Sequence, residues 1–88
     1  MKAYLRMRLG DDITFATGDD PGIQKFYDGV DFDEAIRIFH SSKNQNRVVN
    51  LLNYMSKSGF DVEFTNVWSD DYTVTYWLSK EIFEEDEL

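Results

Sequence analysis

Hydrophobicity alternates with a period of two residues at both ends of this chain and with a helical period in its middle, and that order leaves few folds open. In the first segment Ala3, Leu5, Met7 and Leu9 fall on one side, and Lys2, Tyr4, Arg6 and Arg8 on the other. A half-buried strand produces this pattern, because successive side chains point to opposite faces of a sheet. Gly10, Asp11 and Asp12 supply turn chemistry, so residues 13–17 read as the returning strand of a hairpin. Residues 18–22 end it. Residues 23–30 admit two readings: a short helix capped by Asp20 with Pro21 in its first position, or an irregular loop carrying Phe26 and Tyr27.

A clearer helix begins at Asp31, whose carboxylate can accept first-turn amides while Glu34 reaches back. Phe32, Ala35, Ile36 and Phe39 share its apolar face. Ser42 and Gln45 repeat the capping pattern for a second helix, with Val48, Val49, Leu52 and Met55 as its stripe, running to about Ser58. Gly59 stands where a left-handed cap belongs, with Phe60 as its hydrophobic contact.

Period two then returns. Phe60, Val62, Phe64 and Trp68 share one face; Asp61, Glu63, Thr65 and Val67 share the other. Ser69, Asp70 and Asp71 reverse the chain, and Tyr72, Val74, Tyr76 and Leu78 continue the apolar face. With Trp68 opposite Tyr72, Phe64 meets Tyr76 and Thr65 meets Thr75, while Trp77 and Val67 point outward. The order hairpin, helix, helix, hairpin predicts an α+β fold: a four-stranded antiparallel sheet with two helices packed on one face. Residues 1–80 form that single domain. Residues 81–88, with five acids, form an acidic C-terminal extension, either a short helix around Ile82 and Phe83 or a frayed tail.

Size bounds the chemistry. A chain of 88 residues supports one modest core and no deep substrate cavity. Its apolar fraction of 42% and aromatic fraction of 16% are too high for disorder, and it has no cysteine to staple a fold. The first ten residues lack the apolar run of a signal peptide, and no stretch approaches the ~20 apolar residues of a membrane span. The expectation is a cytoplasmic protein without membrane contact.

Catalytic signatures are weak. The single histidine, His40, lies near a helix C-terminus, where partial positive charge is favourable, and adjacent Ser41 and Ser42 cannot face it along the helix. The Asp doublets and the group Asp28, Asp31 and Asp33 offer hard oxygen ligands. Their spacing fails the calcium-loop pattern: with Gly29 as the sixth position, Ala35 falls where a bidentate Glu belongs. Asp in turns and caps is expected for local hydrogen bonding alone. No glycine-rich phosphate loop is present. The expectation is no enzyme, no cofactor and no metal site.

Charge carries the functional expectation. The net charge of -8, from 17 acids against 9 bases, opposes nucleic acid and anionic membranes. Lys2, Arg6 and Arg8 with Tyr4 resemble a single-strand-binding sheet face in composition, but the net charge weighs against direct nucleic-acid binding. The expected partner is a basic protein surface, in particular a nucleic-acid-binding protein or complex. A folded acidic surface can imitate phosphates and occupy such a groove, in the manner of a phage-type inhibitor such as an anti-CRISPR or anti-restriction protein. The candidate contacts are Asp11, Asp12, Asp70, Asp71, Glu84, Glu85, Asp86 and Glu87, with outward Trp77 as an anchor. The alternatives are a self-associating structural or regulatory module, working through a sheet edge or the Trp77 face, and a divalent-metal-binding module. Acids that only keep an aromatic-rich domain soluble would give the same composition.

Overall fold

In this computed structural model residues 1–68 and 73–83 are described. Strands β1 (Lys2–Leu9) and β2 (Ile13–Ala16) form the first hairpin. Helices α1 (Phe32–Ser41) and α2 (Asn44–Lys57) follow, and β3 (Asp61–Trp68) and β4 (Thr73–Glu81) form the second hairpin. The strands make one four-stranded antiparallel sheet in the order β2-β1-β4-β3. This is the α+β architecture the hydrophobic pattern demands. The hairpins join through β1 and β4, paired from Lys2↔Glu81 to Leu9↔Val74.

Both helices cover one face. Ala3, Leu5, Met7 and Leu9 of β1 are buried there with Leu78, Ala35, Phe39, Leu51, Met55 and Phe60. The Phe15 and Phe32 rings, 4.9 Å apart, hold α1 against β2. A 3₁₀ turn at Gln24–Tyr27 replaces the undecided segment and buries Phe26 and Tyr27. Asp20 caps no helix there. Its carboxylate accepts from the Gly22 amide at 2.9 Å, which closes a local turn instead.

The helix ends follow the sequence in part. Asp31 caps α1, its carboxylate accepting from the Glu34 amide at 3.1 Å. Glu34 does not reach back; it ion-pairs with Arg37, and the Asp31 amide donates to the Tyr54 hydroxyl at 3.1 Å. Ser42 caps no second helix. It ends α1, with its hydroxyl donating to the Ile38 carbonyl at 2.6 Å, and α2 starts after Lys43 without a side-chain cap. At the far end of α2 the Gly59 amide donates to the Ser56 carbonyl and the Phe60 amide to the Met55 carbonyl. Gly59 has φ +91°, so this is the left-handed cap that a glycine there implies. Leu51, not Val49, completes the buried stripe of α2; Val49 is 55% exposed.

Strand β3 departs from the expected register. Val62 pairs with Leu78, but the next pairing is Phe64↔Trp77, and Glu63 is an extra residue between them. Thr65 then lies opposite Tyr76, not Thr75, and Trp68 opposite Thr73, not Tyr72. One inserted residue reverses the side-chain parity of everything after it. Phe64 therefore leaves the core face expected for it and joins Trp77 outside, and Val67, opposite Val74, takes a core-face register position. Strand β4 runs to Glu81, into the segment expected as an extension. Ile82 is buried, and its amide donates to the Met1 carbonyl at 2.8 Å. Among the described residues no helix is long and apolar enough to cross a membrane.

Candidate interaction surfaces

Two surfaces stand out: the carboxylates at the turns and ends of the sheet, and the sheet face without helices.

Asp11 and Asp12 lie in the β1–β2 turn, both exposed. They differ in what holds them. The Asp12 carboxylate accepts from the Ile13 amide at 2.8 Å and sits 3.1 Å from His40 Nε2. The Ile13 amide, and then His40, hold its carboxyl below the usual range. This contact ties the first hairpin to the last turn of α1. Among the described residues Asp11 has no such partner, nor have Asp19, Asp28, Asp33 and Asp61. Asp70, Asp71, Glu84, Glu85, Asp86 and Glu87 lie outside the described residues. The described ends of β3 and β4, Trp68 and Thr73, stand at the Asp11–Asp12 end of the sheet, because Leu9 pairs with both Ile13 and Val74.

The acids are segregated. Residues 35–60 contain no Asp or Glu and hold Arg37, Lys43, Arg47 and Lys57; all 17 acids fall outside that stretch. It covers most of α1 and all of α2. The exposed side of α2 presents Asn46, Asn50, Asn53 and Lys57. The signal was open to a count of where acids are missing, which total charge conceals.

On the open sheet face, one cross-strand row reads Ala16, Arg6, Trp77, Phe64. The Phe64 and Trp77 rings stack, with centroids 5.8 Å apart and planes 25° apart. Phe64 is 52% exposed and Tyr4 is 51% exposed. Trp77 is half-buried, and its indole N–H is closed from solvent with no acceptor among the described residues. Tyr4, Arg6, Trp77 and residues 16–18 line a groove of about 260 Å³. Lys2 and Ser79 both hold Glu63 at the rim of this face, which depresses the Glu63 carboxyl, Lys2 acting most strongly. Trp77 does not share a surface with Asp11 and Asp12. Its row lies three residues from the Leu9 row, about 10 Å along the strand, and its nearest charged neighbour in register is Arg6.

His40 meets Asp12, but the Ser42 hydroxyl is turned onto its own helix. Among the described residues no three His, Asp or Glu side chains converge as metal ligands, and Asp31 is committed to its cap. No family model matches the sequence, and neither a curated protein nor a solved structure matches it.

Proposed function

We propose that this chain is a non-catalytic binding protein that occupies a basic, nucleic-acid-binding surface of another protein, acting as a phosphate mimic in the cytoplasm. The observation that carries this reading is the segregation of the acids. Solubility is served by net charge with both signs interspersed over the surface. Orientation on a charged partner needs the opposite: carboxylates gathered where contact is made and absent where it is not. Here residues 35–60, most of α1 and all of α2, are free of acids, while the acids fall in the first turn of α1, in β3 and β4, and in the segments between elements and at the C-terminal end. Among the described residues the carboxylates of Asp11, Asp19, Asp28, Asp33 and Asp61 take part in no hydrogen bond or ion pair, although Asp11 stands in the β1–β2 turn and Asp33 in the first turn of α1, where a carboxylate is favourable. Asp11, Asp12, Asp70, Asp71 and the run Glu84, Glu85, Asp86 and Glu87 are the proposed contacts.

Affinity capture from a cell lysate tests it, with this protein as bait and washes at ~50 mM and ~500 mM salt. The expected result is a basic nucleic-acid-binding protein, retained at low salt, released at high salt, and competed off by DNA or RNA. Retention unaffected by salt and by nucleic acid would overturn the reading.

A further inference from the structure

We propose that the open face of the sheet pairs two copies of this chain about a two-fold axis, with β1 of each copy lying over β3 of the other. This goes beyond the acidic-binder reading and does not depend on it, because the face involved is the one without Asp11 and Asp12.

The row Arg6, Trp77, Phe64 crosses this face from β1 to β3. β1 and β3 flank β4 at equal spacing, ~4.8 Å on either side. A two-fold axis running along β4, above the face, therefore sets β4 against β4 and each β1 over the partner's β3. A row that reads cation, indole, phenyl is self-complementary under that operation. Trp77 meets its own copy, and each Arg6 guanidinium lies over the Phe64 ring of the other, a favourable cation–π geometry counted twice.

Charge selects this axis over its rival. The outward residues of β1 are Lys2, Tyr4, Arg6 and Arg8; those of β3 are Asp61, Glu63, Phe64 and Asn66. β1 carries the cations of this face and β3 the acids Asp61 and Glu63, and between them β4 contributes half-buried Trp77 and Ser79, Thr75 being buried. An axis across the strands would stack β1 on β1 and β3 on β3, like on like. The axis along β4 keeps each row, so Arg8 meets Asn66, Arg6 meets Phe64 and Tyr4 meets Asp61, and no cation meets a cation. Lys2 and Glu63 are already bonded to one another and add no unpaired charge at the rim. Aligned sheets pack about 10 Å apart and about 30° off parallel, a gap that stacked aromatic and Arg side chains fill.

The area sets the strength. Strands of eight, eight and nine residues present roughly 400 Å² of sheet per copy, roughly 800 Å² for the pair. That is below the ~1,200 Å² of stable complexes, so the pair is weak and reversible, with a dissociation constant on the order of 10–100 µM.

Sedimentation velocity from ~5 µM to ~1 mM at ~0.15 M salt measures this directly. The wild type moves from monomer to dimer across that range. Arg6→Glu and Phe64→Lys each weaken the dimer roughly tenfold or more, because each change is felt twice across the axis. The double variant Arg6→Glu with Phe64→Lys restores it, since Glu then faces Lys between copies. Far-ultraviolet circular dichroism confirms that each variant is folded. A wild type monomeric at ~1 mM, a dimer indifferent to both single changes, or singles that break it without rescue in the double would each overturn the proposal.

Discussion

The Tyr27 hydroxyl donates to the Tyr4 carbonyl over 2.6 Å at a point where β2 has already ended and β1 still runs. A side chain thus completes a strand edge that the sheet leaves open, and stacking of Tyr27 on Phe60 at 5.6 Å fixes its direction. Tyr27→Phe keeps the ring and orphans a carbonyl, so it should lower stability by about 1–2 kcal/mol in urea unfolding. Burial raises the Tyr27 hydroxyl above its ordinary value, so its contribution is present below the ordinary tyrosine range and lost as pH rises through the folded value. The carboxylates behave oppositely. The Ile13 amide and His40 lower Asp12, Arg37 lowers Glu34, and Lys2 with Ser79 lowers Glu63. A carboxyl depressed by folding stabilises above its unfolded value, near ~4, and that stabilisation is lost as pH falls through the folded value. Thermal melts should decline below about pH 4, and more gently for Asp12→Asn. An unchanged acid limb in that variant would show that the Asp12 contacts with Ile13 and His40 contribute nothing.

Each regular element follows from its own periodicity, and the bulge in β3 marks where periodicity stops informing. Removing Glu63 leaves Val62↔Leu78 and Phe64↔Trp77 as consecutive pairs, so the deletion should keep the fold and the aromatic stack while losing the Lys2 and Ser79 contacts. Nuclear Overhauser contacts between the Phe64 and Trp77 rings should persist in that variant; contacts from Phe64 to Tyr76 instead would contradict the register. Alternation along β1 was legible because each position has the polarity of its face. In β3 the apolar residues Val62 and Phe64 stand on opposite faces, so an extra residue leaves no mark in the pattern. Outward Trp77 could be read from the sequence; its companion Phe64 could not. The same limit appears at Ser42. A capping pattern is a statement about available donors and acceptors, and the Ile38 carbonyl claimed that hydroxyl first. Asp31 and Gly59 had no such competitor, and both caps stand where their residue types put them.

At the scale of the molecule, the sheet separates a core side, under helices that carry no acid from residue 35 onward, from a helix-free face bearing Phe64 and Trp77. The fold was legible because it follows from where apolar residues recur. The surfaces were only half legible, because total charge does not say where acids are missing, and strand order decides which turns share an end. The central claim is that the acids compete with nucleic acid for one protein surface. Displacement of labelled DNA from the captured partner, followed by fluorescence anisotropy at ~50 mM salt, tests it most directly. The account predicts that the wild type releases the DNA and that a variant combining Asp11→Lys with Glu84→Gln, Glu85→Gln, Asp86→Asn and Glu87→Gln does so only at much higher concentration. A ternary complex, with this protein and the DNA bound to the partner together, would contradict it.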